Sequence, residues 1–244
     1  MMPFRYLHLE TVGSTNTYMQ EMPEQERISC VVFADGQTSG KGMGSNQWES
    51  EPGLNLTFSM GFDMSFLKAA DQFLLSQAVP LGLLDVLDGL LPDKPFVKWP
   101  NDIIVNGQKL AGILINSTIQ GLGMGVSVVG IGLNVNQMRF QDWPTHPVSL
   151  KSILGREVLL EPLLKQLVEA VDRRVQLLRI TEGNELIQKD YLKRLYRFRT
   201  WADYEVAGHT VRRFITGIDS FGRLETLDES SLKYVYDIKE VKFV

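Results

Sequence analysis

The chain has 244 residues, of which 44% are apolar and 22% are charged. These proportions are typical of a globular protein with a substantial core, and they exclude a disordered chain. The formal net charge is −4, which argues against non-specific binding of nucleic acid through a basic surface but leaves a local basic pocket possible. The single cysteine, Cys30, lies in an apolar run, so we interpret it as a buried structural thiol.

No segment is typical of a membrane or secreted protein. Residues 1–10 lack the long apolar core and the small-residue cleavage site of a signal peptide. The most apolar stretch, residues 73–91, is interrupted by Gln77, Asp85 and Asp88, which indicates a buried or amphipathic helix rather than a membrane span. We therefore expect a cytoplasmic protein without a membrane partner.

The first third of the chain alternates between strand, turn and loop patterns. A strand is predicted over residues 4–9, followed by a turn and a helix over residues 12–21, since Ser, Thr and Asn favour helix starts. A second strand is predicted over residues 28–34. Four glycines mark residues 35–48 as a loop. Apolar and polar residues then alternate over residues 54–60, which predicts a half-buried strand.

The middle of the chain contains a hairpin. Asn106 and Gly107 are the pair that favours a two-residue type I′ turn. They separate apolar runs over residues 103–105 and 109–115, which we predict to be its two strands. A further strand is predicted over residues 125–135.

Helices are predicted before and after this hairpin, and the residue pattern then changes to one that is typical of strands. Residues 65–91 are predicted to be helical, with Pro80 kinking or dividing the helix. Residues 161–179 and 185–199, rich in leucine and charge, are predicted to be two more helices. Residues 201–244 have short alternating runs and glycines, which favour a small all-β unit. The order of elements indicates an α+β fold with a mixed or mostly antiparallel sheet.

A glycine-rich loop surrounds Lys41. Glycines let a backbone approach a ligand closely, and successive N–H groups can form a nest that binds an anion. Lys41 adds a positive charge. An ordinary flexible loop is the alternative interpretation, and the spacing does not match a Walker phosphate loop.

Two further polar segments are hard to explain by the fold alone. The hairpin turn would bring Lys109 beside Asp102, where the lysine could neutralise a phosphate or carboxylate and the aspartate could hold magnesium or a lysine. The alternative is an exposed surface ion pair worth about 0–1 kcal/mol.

In the segment Gly130–Asn136, small residues indicate close approach of a ligand or another backbone, so that Asn134 could contact a polar ring. The alternative there is a strand with a bulge.

Taken together, these segments resemble the biotin protein ligases, in the order and at the spacing of that family. The matching strings are Ser14-Thr15-Asn16, Gln37, Gly40-Lys41-Gly42, Trp48, Lys98-Trp99-Pro100-Asn101-Asp102, Lys109-Leu110-Ala111-Gly112-Ile113 and Gly130-Ile131-Gly132-Leu133-Asn134. The resemblance implies a catalytic domain like the class II aminoacyl-tRNA synthetases, with a mixed sheet and helices, over residues 1–199. It also implies a small SH3-like β-barrel over residues 200–244.

The same resemblance implies a biotin site. Ser14, Thr15 and Gln37 would hydrogen-bond the ureido ring of biotin. Lys109 would bind the biotin carboxylate. The rest of the pocket would be lined by Gly40, Lys41, Gly112 and Gly130.

It also implies a nucleotide site and a set of catalytic residues. Asn101, Asp102 and Asn134 would serve ATP and its magnesium, with Asp102 as the metal ligand. Trp48 would pack near the nucleotide, and Lys109 would bind the α-phosphate. The catalytic residues would then be Lys109, Lys41 and Asp102.

The implied reaction has two steps and a protein partner. Biotin and ATP would give biotinyl-5′-AMP and pyrophosphate, with Mg²⁺ as cofactor, and a carrier lysine would then take the biotin. The implied partner is the biotin carboxyl carrier domain of an acyl-CoA carboxylase. Only 13 residues precede Ser14, too few for the DNA-binding winged helix of many relatives. We therefore expect a short form without a DNA partner, as a monomer or weak homodimer.

The sequence departs from the family pattern in the glycine-rich loop. Met43 and Gly44 stand where arginines are common in the family, and Lys41 replaces another. Because lysine lacks the bidentate fork of arginine, we expect this loop to hold pyrophosphate or the adenylate less firmly. Lipoate or octanoate transfer remains an alternative chemistry on the same fold. A binding module that senses biotin adenylate without turnover remains an alternative of another class.

Overall fold

A seven-stranded mixed sheet forms the larger part of the protein. The computed structural model describes residues 3–141 and 146–244. The strands are β1 (Arg5–Val12), β2 (Cys30–Gln37), β3 (Leu56–Asp63), β4 (Phe96–Lys98), β5 (Asp102–Val105), β6 (Gln108–Gln120) and β7 (Gly123–Leu133). Their order is β1-β2-β3-β7-β6-β5-β4. The pair β1–β2 is parallel and the other neighbouring pairs are antiparallel, which confirms the mixed sheet.

Helices cover both faces of this sheet. They are α1 (Thr15–Glu21), α2 (Glu24–Arg27), α3 (Phe73–Leu87), α4 (Leu150–Leu154), α5 (Leu160–Leu177) and α6 (Thr181–Arg194). Val31 of β2 is buried in the larger core, to which α3, α5 and α6 contribute. The next residue, Val32, packs with Met19 of α1 instead. Since successive strand residues point to opposite faces, α1 lies on the face opposite the other three helices.

Strand β3 corrects the expectation of a half-buried strand. Its side chains do alternate between apolar and polar, but Thr57 is 2% exposed and Ser59 is fully buried. The Ser59 hydroxyl shares a 3.0 Å hydrogen bond with the hydroxyl of Thr15 in α1, and Thr57 Oγ1 donates to the carbonyl of Ala34 at 3.1 Å. The polar face of the strand is therefore covered by α1 and satisfied internally rather than by water.

The predicted helices differ from the observed ones in extent. The helix predicted over residues 65–91 is α3, preceded by a short 3-10 turn at Ala69–Asp71. Pro80 was expected to kink or divide the helix; division is wrong, because α3 continues through this buried proline. The single-turn helices α2 and α4 lie outside the predicted helices. None of the described helices is both long and apolar enough to cross a membrane.

Local turn chemistry places the hairpin where the sequence predicted it. Asn106 and Gly107 have φ of 50° and 79°, as a type I′ turn requires, and they join β5 to β6. The buried Cys30 thiol is also confirmed.

The C-terminal part forms a separate antiparallel sheet. Its strands are β8 (Trp201–Val206), β9 (His209–Ile218), β10 (Leu224–Leu227), β11 (Lys233–Tyr236) and β12 (Val241–Phe243), in the order β11-β10-β9-β8-β12. All neighbouring pairs are antiparallel, which confirms the all-β expectation. The pairing does not close the sheet within the described residues, so the SH3-like barrel stays a prediction.

The second sheet docks on the first part through Gly222. Trp99 Nε1 donates to the Gly222 carbonyl at 2.9 Å. Gly222 has φ +86°, and a Cβ built on it would lie 2.3 Å from Cδ2 of Phe73 in α3. This close approach holds the C-terminal sheet against α3 and against the segment that carries Trp99.

Gly222→Ala is expected to destabilise the protein far more than Gly208→Ala. Both glycines have left-handed φ, +86° and +80°, but a Cβ on Gly208 meets nothing within 4 Å. The left-handed strain of about 1–3 kcal/mol applies to both, whereas overpacking adds about 1–3 kcal/mol at Gly222 alone. Urea unfolding would measure the difference. Equal midpoints for the two variants would show that the Phe73 contact does not hold the sheet.

Candidate active site

A cavity of about 500 Å³ opens between the first sheet, the glycine-rich loop and β12. It brings together ten residues that the sequence analysis proposed for a site, although they come from five separate stretches of the chain. They are Ser14, Thr15, Gln37, Lys41, Trp48, Asn101, Asp102, Lys109, Gly112 and Gly130. Two others, Gly40 and Asn134, are not among the residues that line it.

The hairpin places Lys109 against Asp102. The lysine Nζ lies 2.7 Å from Oδ1 of Asp102, and the two side chains are 22% and 17% exposed. The interpretation as an exposed surface ion pair is therefore wrong, since more than three quarters of each side chain is covered. A register shift in the β5–β6 ladder, between Ile103 and Ile104, adjusts the strands where the two charges meet.

The cavity is cationic although the chain is acidic. Four lysines line it, namely Lys41, Lys98, Lys109 and Lys242, against one carboxylate, Asp102. The whole chain has a net charge of −4. A partly enclosed site with this excess of positive charge favours an anionic ligand.

Lys98 is partly desolvated by its surroundings. Burial lowers the pKa of its ammonium from the ordinary value, and Asp102 opposes this shift. The cations of Lys109 and Arg197 lower the pKa of Lys98 further. Its Nζ lies 5.4 Å from the ring centroid of Phe243 in β12.

Trp48 forms an aromatic wall beside Lys109. Its ring lies so close to β7 that a Cβ built on Gly132 would be 2.2 Å from Cε2, and one built on Gly112 would be 3.1 Å from Cζ3. The Lys109 Nζ is 5.8 Å from the centroid of the ring. The buried Nε1 of Trp48 has no hydrogen-bond partner among the described residues. A flat aromatic face next to a cation suits a planar ligand that carries negative charge.

The start of α1 supplies polar groups at one end of the cavity. Ser14 occupies the N-cap position, but its side chain makes no capping hydrogen bond, and it is only 5% exposed. The Thr15 backbone N–H donates to Oε1 of Gln37 at 2.8 Å. That bond fixes the Gln37 amide beside Ser14, so that a hydroxyl and an amide face the same end of the cavity.

Gly40 and Asn134 do not line the cavity but hold the backbone around it through hydrogen bonds. The Gly40 carbonyl accepts from the Trp48 N–H at 2.9 Å, and a Cβ on Gly40 would lie 2.3 Å from the Trp48 carbonyl oxygen. Asn134 is 3% exposed, and its Nδ2 donates to the Val148 carbonyl at 3.1 Å. Its position behind the lining gives no support to the predicted contact with a nucleotide, which stays a prediction.

The sequence analysis assigned no role to several residues of the site. Asn16 and Lys98 line the cavity, and both belong to the strings that carry the resemblance. Gly132 makes room for Trp48. The β12 residues Val241, Lys242 and Phe243 also line the cavity. No local pattern could have found β12, because its contribution depends on how the second sheet docks.

Metal ligands are sparse in the described part of the chain. Residues 3–141 and 146–244 contain no group of three or more His, Cys, Asp or Glu side chains placed to hold a metal ion. Asp102 is the carboxylate that lines the cavity. The site therefore fits a cation that arrives with most of its ligands, such as one chelated by phosphates.

Comparisons of the sequence with known proteins identify a family and several relatives. The model of the biotin/lipoate A/B protein ligase family matches residues 9–136. Biotin–protein ligase 2 of Arabidopsis thaliana is 27% identical, over 91% of this chain and 69% of that protein. The biotin–[acetyl-CoA-carboxylase] ligase of Paracoccus denitrificans is 33% identical, over 68% of this chain and 70% of that protein.

Two further comparisons show how much of a longer relative this chain matches and how similar its fold is to a solved structure. The bifunctional ligase/repressor BirA of Escherichia coli is 32% identical over 55% of this chain, but the match spans only 41% of that protein's length. A solved biotin protein ligase from Aquifex aeolicus, in complex with biotin and ATP, superposes with a TM-score of 0.81 at 19% identity and covers 98% of both chains. That likeness concerns the fold alone.

The family model covers just over half of the chain, and the Paracoccus ligase is 33% identical over more than two thirds of its own length. This chain therefore belongs to the biotin/lipoate A/B protein ligase family, among its biotin protein ligases.

Proposed function

We propose that this enzyme activates biotin with ATP and transfers it to a lysine of a carrier protein. The observation that carries the proposal is the cationic cavity, in which the Lys109–Asp102 pair at 2.7 Å lies beside the aromatic face of Trp48. The Arabidopsis relative is named a biotin–protein ligase, and the solved Aquifex ligase is a complex with biotin and ATP, which supports the same pair here.

The first step joins two anions. An oxygen of the biotin carboxylate attacks the α-phosphorus of ATP, a new O–P bond forms, and the bond from that phosphorus to the leaving pyrophosphate breaks. Charge repulsion is the obstacle, and Lys109 and Lys41 offset it by stabilising the charge that develops on the phosphate oxygens. In this proposal Ser14, Thr15 and Gln37 hold the ureido ring of biotin, while Gly40, Gly112 and Gly130 line its pocket.

The second step consumes the mixed anhydride biotinyl-5′-AMP. The neutral ε-amine of the carrier lysine attacks the acyl carbon, a C–N bond forms, the C–O bond to AMP breaks, and the amine nitrogen releases one proton to water. Asp102 orients that amine, because its carboxylate is already fixed in the cavity by Lys109. The glycine-rich loop around Lys41 covers the adenylate and limits its hydrolysis.

Magnesium is proposed to accompany the nucleotide. Mg²⁺ is commonly held by one or two carboxylates together with substrate phosphates, and Asp102 fits as the single protein carboxylate of such a site. When bound, the ion neutralises charge on the phosphates. Asn101 and Trp48 would contact the nucleotide; Asn101 is held in place because its Nδ2 donates to the Ile113 carbonyl at 2.7 Å.

The partner and the domain division belong to the same proposal. We propose the biotin carboxyl carrier domain of an acyl-CoA carboxylase as acceptor, which is supported by the substrate that the name of the Paracoccus relative gives. We also propose a catalytic domain over residues 1–199 and a C-terminal domain over residues 200–244. The second sheet, which begins at Trp201, supports that boundary.

Lys109→Met is expected to reduce biotin-dependent release of pyrophosphate from ATP by about 10²–10³-fold, the usual loss when one group that stabilises transition-state charge is removed. Methionine keeps most of the side-chain length and removes the charge. The measurement is pyrophosphate release with biotin and Mg-ATP, followed by the mass gain of a biotin carrier domain.

Lys94→Met is the matched control, because Lys94 is exposed and lies outside the lining. Its activity should equal that of the unchanged protein. Wild-type protein that releases pyrophosphate with lipoate and not with biotin would contradict the proposed substrate. Tight binding of biotin without any turnover would contradict the proposed enzyme.

Gly132→Ala is expected to raise the KM for ATP by at least about tenfold, because the new methyl group would displace the Trp48 ring and small displacements in a site are costly. Gly123→Ala on the same strand is the control, since its Cβ would meet nothing closer than 3.7 Å. Steady-state kinetics at saturating biotin would compare the two variants. Unchanged kinetics for Gly132→Ala would remove Trp48 from the proposed nucleotide site.

A further inference from the structure

The tip of the glycine-rich loop contacts the turn that precedes β12. Gly44 has φ +67°, and a Cβ built on it would lie 2.4 Å from Nζ and 3.1 Å from Cε of Lys239. The end of the Lys239 side chain therefore occupies the space into which a side chain at position 44 would project. The same two segments also share a cavity, because Met43 and Ile238 both line a small cavity of about 160 Å³.

Two hydrogen bonds between the residues that flank Lys239 hold the backbone of the turn. The Glu240 N–H donates to the Asp237 carbonyl at 3.1 Å, and the Asp237 N–H donates to Oε2 of Glu240 at 2.8 Å. Lys239 itself has φ +77°. The chain then enters β12, whose residue Lys242 lines the main cavity. Lys239 thus lies three residues before one lining residue, Lys242, and contacts Gly44, the neighbour of another, Met43.

The two lysines of this segment differ in their charge partners. Lys242 Nζ is paired with Oε1 of Glu205 at 2.6 Å. Lys239 is exposed, and in the described parts of the chain it forms no ion pair with a carboxylate. Its charge is available to an anion that reaches the loop tip.

We propose that Lys239 binds the phosphates of ATP that leave as pyrophosphate, so that the C-terminal turn supplies a charge that the loop itself lacks at residues 43 and 44. The inference rests on the proposed function. In the first step the β- and γ-phosphates depart together with several negative charges, and the loop contributes the charge of Lys41 alone. A glycine at position 44 leaves this space to the Lys239 ammonium, which a side chain there would displace.

The test compares Lys239→Gln and Lys239→Glu with Lys233→Gln, an exposed lysine of the same sheet that is paired with Glu225. Calorimetry would measure the affinity for Mg-ATP and, in separate titrations without nucleotide, for biotin. We expect Lys239→Gln to weaken ATP binding about tenfold and Lys239→Glu to weaken it more, with biotin affinity unchanged. The salt dependence of ATP binding should also decrease in both variants, whereas Lys233→Gln should change nothing.

A second variant separates charge from structure. Gly44→Arg in the Lys239→Gln background should recover part of the ATP affinity, because the vacated space would receive a new cation while the left-handed φ of +67° strains the new residue. Unchanged ATP affinity in both Lys239 variants would overturn the inference, as would an equal loss of biotin affinity. ATP binding is measured directly, so wild-type protein that binds ATP through Lys239 but does not activate biotin would overturn the proposed function and leave this inference standing.

Discussion

The ion pair between Lys109 and Asp102 is the constraint on which the rest of the site depends. Removing two charges from water is costly unless geometry and neighbouring groups compensate, and here both side chains are less than a quarter exposed. The hairpin turn, the register shift in its ladder and the cover provided by Trp48 all serve to bring these charges together. A pair of this kind contributes more as a positioned functional group than as a source of stability, since a hydrophobic replacement of buried pairs is often neutral or stabilising.

The C-terminal sheet matters to the site because it packs against the part of the chain that carries Trp99 and Phe73. Its contact through Gly222 places β12 along the cavity, where Phe243 lies over the Lys98 ammonium. This arrangement reduces the access of water to Lys98, and the desolvation is the main cause of its lowered pKa. The second sheet therefore adjusts the electrostatics of a site that is otherwise built by the first.

Whether a feature of this structure could be predicted depends on how far apart in the sequence the residues that determine it lie. The Asn106-Gly107 turn and the meeting of Lys109 with Asp102 follow from a few neighbouring residues, and both are confirmed. The alternation in β3 was visible, but whether its polar face meets water depends on α1. The role of Gly132 depends on Trp48, which lies more than 80 residues earlier in the chain and packs against it. The helix α4 does have a local signal in the sequence, the capping box formed by Ser149 and Ser152.

The distribution of charge links these observations. A protein of net charge −4 repels its anionic substrates at long range, but salt screens that repulsion beyond about 8–10 Å. Within that distance the ligand meets the lysines of the cavity, two of which are paired with carboxylates, Lys109 with Asp102 and Lys242 with Glu205. Lysines contributed by separate segments are also brought together only in the folded chain. The cationic site is thus a property of the assembled fold, and the glycines of the loop permit the close contact with the C-terminal turn that completes it.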